Sequence, residues 1–593
     1  MILQELAHYY ERKQSVDVQS VAPLGWEYKE IPFVLVSHPD GSFHALEDMR
    51  EADGKWLRGR KFLVPQAVKK SSNVSANLLW GSPDYVFGLA EGKRAEKPQR
   101  LSDQRAAFLS RIQVLAQTHP SPDFHAVIQF LSLNQWPEVQ AHALFPEILQ
   151  ANSNLSFRIA GHNELVCQNA ACREAVDAKS ADQSAGIRCL ISGESAPLAR
   201  LHPPIKGVFG AQSSGASIVS FNLDAFNSYG KSQGANAPVG EDAAFSYTTA
   251  LNNLLARESR NKLQVGDTSI VFWAEKSDGM EDIFADLFSE PARDDPDRGV
   301  RAVAALYAAP NSGALPFVDD KTRFFVLGLA PNAARISIRF WYVVTVADLA
   351  ENVRQYFMDI DIVRHPRDLR YPPLSRLLSA LAVQGKSENI PPSLSGDFMR
   401  AILADAPLPE SLLRQVLLRI RAESSAKRDF KDVVRAHDRA ALLKAYLNRR
   451  FRQSQFNGFR EVTVALDLSN NDPGYRLGRL FSVLEKIQED ANPDLKVTIR
   501  DRYYGAASST PVTVFPVLLR LKNHHLGKLE NRGQQINYEK RIGEIMAGLP
   551  AARMPANLSL PEQAMFALGY YHQRQSFFTK KDAVQNSIQE EGD

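Results

Sequence analysis

A short run of carboxylates with one histidine is the first place where this sequence could do chemistry. The segment MDIDIVRHPRD contains Asp359, Asp361, His365 and Asp368. A nuclease can hold Mg²⁺ between such carboxylates, and Asp359 and Asp361 would face the same side of a strand. Charged residues are also normal at a domain edge, where this run lies, and we favour that interpretation. A metal-dependent nuclease that uses the Asp359 to Asp368 cluster is kept as the alternative function.

The cysteines offer a second possible metal site. Cys167, Cys172 and Cys189, with His162 nearby, could supply four zinc ligands. The Cys-x4-Cys spacing is at the loose end of structural zinc patterns. The segment CQNAACREAVDA is also typical of a helix in which both cysteines pack as small apolar groups. We favour the helix, and we predict no metal and no other cofactor.

The remaining catalytic signals are weaker. YGKS at residues 229–232 has the ending of a phosphate-binding loop, but the first required glycine would fall at Ala225. His437 and Asp438 form a lone dipeptide in a helical run, which we interpret as a surface pair. His524 and His525 are adjacent on a predicted helix and therefore point in different directions. We predict no catalytic residue and do not expect an enzyme.

Length and composition describe an ordinary soluble protein of more than one domain. A chain of 593 residues exceeds one ordinary core, and 44% hydrophobic with 23% charged residues is usual for globular proteins. Three cysteines favour a reducing compartment. The start, MILQELAHYYERKQ, is typical of an amphipathic helix and not of a signal peptide, and no apolar stretch would span a membrane. We expect a cytoplasmic protein. The net charge of +3 neither favours nor excludes nucleic acid.

Hydrophobic periodicity predicts an α+β fold. Residues 33–36 and 43–46 are expected to form a hairpin around Pro39-Asp40-Gly41. RLSDQRAAFLSRIQVLAQ has helical spacing behind Ser102 as a possible N-cap, and GEDAAFSYTTALNNLLARE is a second predicted helix. ASIVSFN, TSIVFWAE and RISIRFWYVVTV are predicted buried strands.

Strand signals almost vanish after Pro372, and helical runs follow one another. Four helices with short connections predict a bundle at the end of the chain, where Ser559 and Glu562 have capping-box spacing. We therefore expect a mixed N-terminal domain at residues 1–365, with short sheets and helices. A helical C-terminal domain would follow at residues 366–593.

A loop without acids follows the strand that ends at Pro65. Lysine ammonium groups neutralise phosphates, and amide side chains, which carry a donor and an acceptor, suit base edges. The candidate DNA contacts here are Gln66, Lys69, Lys70, Ser71, Ser72, Asn73 and Asn77, with Arg58, Arg60 and Lys61 just before them. Surface turns use the same residue types, so composition alone would favour an ordinary turn.

Two glycine-rich loops share this character. KGVFGAQSSG and SYGKSQGANAPVG present further candidate contacts, namely Lys206, Gln212, Ser213, Lys231, Gln233 and Asn236. Glycines permit a close backbone approach, and exposed N–H groups can bind anions. Either loop could instead be a tight structural turn, but three such loops together point modestly to a nucleic-acid surface.

Several phrases of the sequence, taken in order, resemble one known family. They include FLVPQAVKKSSNVSANLLW, RLHPPIKGVFGAQSSGASIVSFNLDAFNSYGKSQGANAPV, AAFSYTTALNNLL, ISIRFWYVVTVADLAENVRQYF and GYRLGRLFSVLEKIQEDANP. The set resembles the large subunit of the type I-C CRISPR surveillance complex, Cascade, of the Csd-type large-subunit family. The resemblance runs from Met1 into the final helices.

The resemblance implies a binding protein of antiviral defence. Such a subunit recognises the protospacer-adjacent motif in double-stranded target DNA and helps to form the R-loop. Its implied partners are CRISPR RNA, the displaced strand, the backbone and guide-processing subunits of Cascade, the small subunit, and the helicase-nuclease that it recruits. The division of labour, in which protein reads the motif and base pairing reads the rest, is known from another effector. On this basis Lys69 and Lys70 would hold phosphate, while Asn73 and Asn77 would touch bases.

The resemblance also gives the C-terminal bundle a role. Residues 472–593 resemble the small subunit, and a free copy would start before GYRLGRLF. The candidates for holding the displaced strand are Arg476, Arg479, Arg500, Arg502, Lys522, Lys528, Arg532 and Arg541, with Tyr503, Tyr504 or His525 able to stack on bases. A solvated helix face would carry the same charges. A third hypothesis is an assembly protein whose lysine-rich loop touches a neighbouring subunit and not DNA.

Overall fold

The computed structural model describes most of the chain in two compact units. The first unit is Met1–Lys206 with Ser213–Asn253, and the second is Gly207–Gln212 with Leu254–Asp593. The described residues are 1–17, 20–68, 74–133, 136–180, 186–277, 279–289, 295, 298–299, 301–304, 321–386, 389–423, 430–454, 460–493, 495, 497–549 and 554–578. Among them, none of the helices has both the length and the apolar character needed to cross a membrane.

The first unit combines small sheets with helices. Its strands are β1 (Trp26–Ile31), β2 (Phe33–Ser37), β3 (Phe43–Asp48), β4 (Arg50–Asp53), β5 (Trp56–Pro65), β6 (Trp80–Gly81), β7 (Leu155–Ile159), β8 (Ile187–Arg188) and β9 (Ser195–Ala196). Its helices are α1 (Ile2–Val16), α2 (Pro83–Val86), α3 (Pro98–Thr118), α4 (Pro122–Ser132), α5 (Pro137–Ala141), α6 (Phe145–Ala151), α7 (Ala170–Ser180) and α8 (Glu241–Leu254).

Strand β2 is the centre of the first core. All five of its residues, FVLVS, are buried, as expected for a strand that is covered on both faces. It pairs antiparallel with β3 and parallel with β7, so the predicted hairpin is confirmed. A separate antiparallel sheet has the order β1-β5-β4, and it brings β1 alongside the strand that leads into the lysine-rich loop.

The second unit begins with a sheet and continues in helices. Its strands, in the antiparallel order β10-β11-β12-β13, are β10 (Lys262–Val265), β11 (Thr268–Ala274), β12 (Arg323–Asn332) and β13 (Arg335–Thr345). Its helices are α9 (Met280–Phe288), α10 (Val346–Ile360), α11 (Leu374–Ser379), α12 (Pro392–Ala404), α13 (Glu410–Ala422), α14 (Phe430–Ser454), α15 (Pro473–Ala491), α16 (Ile499–Ala507), α17 (Pro511–Leu526), α18 (Arg532–Ala547) and α19 (Leu560–Ser576).

The predicted α+β class is confirmed, with some local corrections. The first long helix starts at Pro98, so Ser102 lies inside it and is not the N-cap; proline is favoured in the first helical turn. ASIVSFN forms no strand and contains only isolated bridge positions, such as Ala216, which pairs with Ile205. The bundle also contains α16, a helix that the prediction did not include. The capping box at Ser559 and Glu562 is confirmed. The functional domains at 1–365 and 366–593 stay a prediction.

Helix α19 belongs to two cores at once. Phe566 and Tyr570 pack in the bundle cluster formed with α15 to α18. Met565 and Leu568, on another face, belong to the larger cluster that includes the sheet and α9 to α14. Where α19 crosses α15, a Cβ placed at Gly478 would overlap the carbonyl group of Phe566. The two helix backbones therefore approach more closely than side chains would allow.

The acidic cluster at residues 359–368 is part of the second core. Asp359 lies in α10 and not on a strand, which corrects the prediction that it would converge with Asp361. Its carboxylate is buried between Arg449 (Nε–Oδ2, 2.8 Å) and Arg452 (Nη1–Oδ1, 2.7 Å). Asp361 pairs with Arg370 at 2.9 Å. Neither carboxylate is left as an open metal ligand.

A second buried network contains Asp368 and Asp438. Arg376 lies 2.7 Å from Asp368 and 2.8 Å from Asp438, and Arg364 contacts the same two carboxylates at 3.2 and 2.8 Å. His437 Nδ1 lies 2.8 Å from Asp368. Burial alone would raise the pKa of Asp368, but the hydrogen bond with His437 and the two arginines hold it well below its ordinary value.

His437 and Asp438 are therefore not a surface pair, as the sequence had suggested. Both are buried in α14, because arginines from two other segments compensate the charge there. Among the described residues, no group of three or more His, Cys, Asp or Glu side chains could hold a metal ion. The nuclease alternative has no support.

We expect Asp438→Ala to destabilise the protein by about 3–5 kcal/mol, because the buried side chain of Arg364 and the partly buried side chain of Arg376 would lose a shared partner. Glu410→Ala is the matched control, since it removes an ion pair with Arg414 in which both side chains are more than half exposed. Its effect should be about 0.5 kcal/mol or less. Denaturant unfolding of the three proteins measures both changes. Equal losses would contradict the structural role of the network.

We expect the contribution of Asp472, the N-cap of α15, to the free energy of unfolding to depend on pH. Its side chain accepts from Tyr475 N at 2.9 Å, and burial raises its pKa to about 6. A folded-state pKa above the unfolded value makes Asp472 favour folding at low pH. This contribution, about 3 kcal/mol at most, is lost as the pH rises from about 4 to about 6.

Asp472→Asn keeps the capping acceptor and does not titrate. The stability of the variant relative to the wild type should therefore increase between pH 4 and pH 6 and then remain constant. Urea unfolding of both proteins at four pH values from 4 to 7 measures the difference. A difference that does not change with pH would show that Asp472 has an ordinary pKa.

Candidate nucleic-acid interface

The lysine loop, residues 66–77, has a stem that hydrogen bonds hold on both sides. Lys69, Lys70, Ser71, Ser72 and Asn73 lie outside the described residues. On the first side of the loop, Gln66 N donates to the Gly25 carbonyl at 2.8 Å, and the Trp80 indole donates to Pro65 O at 2.9 Å. On the second side, Arg111 from α3 donates to the carbonyl of Ala76. These contacts place both ends of the loop on rigid elements.

Asn77 closes the stem. Its side chain is buried, and Oδ1 accepts from Val68 N at 3.1 Å. In this conformation the amide faces the loop's own backbone, so its predicted contact with bases stays untested and would need a rearrangement. Gln66, at the other end, is half-buried and lines a cavity of about 600 Å³ together with Arg111 and Cys189.

Glu27 on β1 connects the stem with a second predicted loop. Its carboxylate lies near the backbone N–H of Ala67 and near the ammonium groups of Lys206 and Lys29. Burial raises the pKa of Glu27, and these two charges and the N–H partly oppose the rise. Lys206 is exposed, so its charge stands beside the base of the lysine loop. Sequence reasoning missed Glu27, because it reaches this place only through the pairing of β1 with β5.

The basic run before the loop is partly neutralised. Arg58 pairs with Asp53 at 2.8 Å and approaches Glu30 at 3.8 Å. Arg60 lies over the ring of Phe62 at 5.5 Å, and Lys61 is exposed on β5. The charge of Arg58 is therefore partly neutralised by two carboxylates.

The third predicted loop contains a braced tight turn, which we call the Tyr229 turn (residues 228–236). Asn236 Oδ1 accepts from Ser228 N at 3.2 Å, and its Nδ2 donates to Gln233 O at 3.0 Å. Gln233 accepts from Arg200 Nη1 at 2.9 Å. Asn236 and Gln233 thus hold the loop's shape, while Lys231 is exposed.

Sequence reasoning missed Tyr229 itself. Its side chain is 98% exposed, and its φ of 51° lies in the left-handed region, which costs a non-glycine residue roughly 1 kcal/mol or more. The only local signal was the Tyr-Gly dipeptide, since Gly230 also has a positive φ of 71°. Gln212 and Ser213, on the remaining predicted loop, are exposed.

The candidates in the bundle divide into buried and exposed groups. Arg476 is buried and donates to the carbonyls of Glu544 and Ile545 at 3.1 and 3.2 Å. Arg479, also buried, donates to Gln573 at 3.2 Å. Both side chains are occupied inside the bundle, so they offer little surface to a strand in this conformation.

Arg500 is also held inside the bundle, between two tyrosines. Its guanidinium lies 5.4 Å from the ring centroid of Tyr504 and 5.0 Å from that of Tyr570, and Tyr504 is buried. Lys522 pairs with Glu539 at 2.7 Å. The members of the predicted set that remain exposed are Arg502, Lys528, Arg532 and Arg541.

The cysteines do not form a zinc site in the described residues. Cys167 and Cys172 are buried, as expected for small apolar groups, and burial raises the pKa of Cys172 to about 12. Cys189 Sγ instead accepts from the backbone N–H groups of Gly240 (3.2 Å) and Ile191 (3.4 Å). Burial alone would raise the pKa of Cys189, but these backbone donors lower it.

Comparison with known proteins gives one family. Residues 6–578 match the family described as CRISPR-associated protein (Cas_Csd1). A search of curated proteins finds no match. The family match covers both units, so it applies to the lysine loop and to the bundle alike.

We expect Asn77→Ala to release the second side of the lysine loop. Val68 N would lose its buried acceptor, which should lower the free energy of unfolding by about 1–3 kcal/mol. Gln212→Ala, which removes an exposed amide, should change it by about 0.5 kcal/mol or less. Denaturant unfolding compares the two variants with the wild type. A neutral Asn77→Ala would mean that the stem does not depend on this hydrogen bond.

Proposed function

We propose, on the premise that the chain belongs to the CRISPR-associated Cas_Csd1 family, that it is the large subunit of a type I-C Cascade complex in the cytoplasm. In this role it recognises the protospacer-adjacent motif in double-stranded DNA, promotes R-loop formation and recruits the helicase-nuclease. CRISPR RNA and the backbone, guide-processing and small subunits are its partners. The chain does no chemistry of its own.

The observation that carries the proposal is the construction of the lysine loop. Four hydrogen bonds hold its stem: those at Pro65, Gln66, Val68 and Ala76. Between the two sides stand Lys69, Lys70, two serines and Asn73, without a carboxylate. Recognition residues are often found on loops that a rigid scaffold positions. The lysines can bind phosphate and Asn73 can read a base edge, so a loop of this composition on a braced stem supports the proposed contact with the adjacent motif.

The exposed cations of the bundle support a second contact. Arg502, Lys528 and Arg532 carry charge on its outside, where a sequence-independent groove for the displaced strand would need it. Among the predicted set these residues suit a charge-reversal test best, because Arg476, Arg479 and Arg500 also stabilise the fold. Loss of R-loop stability on charge reversal would support this role.

The test is a gel shift of the reconstituted complex on matched duplex DNA, with and without this chain and with variants of the adjacent motif. Binding should require both the chain and the motif. Lys70→Ala should weaken binding to all sequences and reduce the salt dependence by about one unit of slope. Asn73→Ala should instead reduce discrimination between motif variants, by about 1–3 kcal/mol per lost base contact.

Lys93→Ala is the matched control, because Lys93 is an exposed lysine of the same unit with no proposed role. It should bind like the wild type. Binding that needs neither the chain nor the motif would refute the proposed function. Motif-dependent binding that survives changes in all three loops would favour the assembly hypothesis, in which the loops touch other subunits.

A further inference from the structure

The tip of the Tyr229 turn is an aromatic ring with both faces open. Ser228 and Lys231 form an isolated bridge, with Lys231 N donating to Ser228 O at 2.9 Å. The two residues between them, Tyr229 and Gly230, both have positive φ, the pattern of a type I′ turn. Such a turn projects its central side chains away from the body of the protein, and the 98% exposure of Tyr229 agrees with this.

Side-chain hydrogen bonds brace the turn from within. Asn236 holds three backbone positions by bonding to Ser228 N, Lys231 O (3.3 Å) and Gln233 O. Gly234 N, one residue further, donates to the carbonyl of Arg200 at 3.2 Å. A large apolar ring is thus kept in water, in a backbone conformation that glycine or asparagine would adopt more easily. Strain of this kind is found at functional sites, where binding makes use of the fixed conformation.

The charged residues nearest to the ring in sequence favour a polyanion. Between Arg200 and Gly240 the chain contains three cations, Arg200, Lys206 and Lys231, and one carboxylate, Asp224; Glu241 and Asp242 follow at the start of α8. Lys231, two residues from the ring, is exposed. An exposed aromatic ring with an adjacent ammonium group suits a nucleotide, because the ring can stack on any base while the lysine meets the phosphate. An apolar protein partner would not need the lysine.

We propose that Tyr229 stacks on an unpaired nucleobase of bound DNA, with Lys231 on an adjoining phosphate. This inference rests on the proposed function and deepens it, since it assigns to the chain a specific contact with DNA bases that are no longer paired. The braced turn sets the ring in place before binding, so little side-chain and loop entropy is lost on contact.

The first experiment compares three substitutions of Tyr229 in the assembled complex on target duplex. Tyr229→Ala should weaken binding by about tenfold, the typical loss for one base stacked on an aromatic ring. Tyr229→Phe keeps the ring and should restore binding. Tyr229→Leu keeps apolar area but has no planar face, and it should remain as weak as alanine. Restoration by leucine would overturn the proposal in favour of an apolar contact with a protein subunit, and wild-type affinity for alanine would overturn it outright.

The second experiment locates the base. Target DNA carrying 5-iododeoxyuridine at successive positions is irradiated in the complex, and the crosslinked peptide is identified by mass spectrometry. A crosslink to Tyr229 at one or two positions is expected, and it should be absent from Tyr229→Leu. Crosslinks confined to other residues would overturn the stacking contact.

The same irradiation of the purified full chain with an iodinated single strand separates the two proposals. A crosslink to Tyr229 there, with no motif-dependent binding by the complex, would refute the large-subunit function while leaving the stacking contact intact. Motif-dependent binding without any crosslink at Tyr229 would support the large-subunit function and overturn the stacking contact. If neither the crosslink nor motif-dependent binding is found, both proposals are overturned.

Discussion

Two buried carboxylates, Asp368 and Asp438, share the same two arginines in the second unit, and the helical part of that unit depends on this arrangement. A buried charge is expensive unless it is paired and hydrogen-bonded. Arg364 lies just before Asp368, Arg376 comes from α11, and Asp438 comes from α14. The charges are satisfied only when all three segments are in place. The network therefore selects one arrangement of these helices among many that would bury similar apolar area.

The same constraint explains why the acidic run at residues 359–368 was misleading in the sequence. A local pattern shows possible ligands, but it does not show partners that are distant in the chain. Arg376 and Asp438 are 62 residues apart, and Asp359 and Arg452 are 93 apart. In the structure, the carboxylates of Asp359, Asp361 and Asp368 are all engaged in ion pairs with arginines. Their density in sequence reflects a junction between helices and not a metal site.

Local patterns, in contrast, predicted several of the regular elements. The β2–β3 hairpin, the long helices and the cap at Ser559 follow from periodicity and turn chemistry within about 20 residues. Several failures occurred where a distant partner decides the outcome. ASIVSFN has strand composition, but it forms only isolated bridges, as between Ala216 and Ile205. His437 looked like a surface residue because its partner Asp368 is 69 residues away in the chain.

The candidate interface shows the same division. Residue types on the three loops indicated their chemistry, since lysines and amides without acids suit nucleic acid. Which side chains build a loop and which face outwards could not be predicted. Asn77 and Asn236 look like base-reading amides in sequence but bond to backbone groups in the structure. Glu27 depends on strand register, and Tyr229 depends on a turn conformation that tyrosine rarely adopts.

Helix α19 has a consequence for how the protein is made. Its residues complete the bundle on one face and the core of the sheet and α9 to α14 on another. A ribosome synthesises those partners well before residues 560–576 appear. Until then, both clusters lack a side and leave apolar surface exposed on the nascent chain. The second unit can therefore reach its final packing only after residues 560–576 have left the ribosome, long after the sheet that they help to cover.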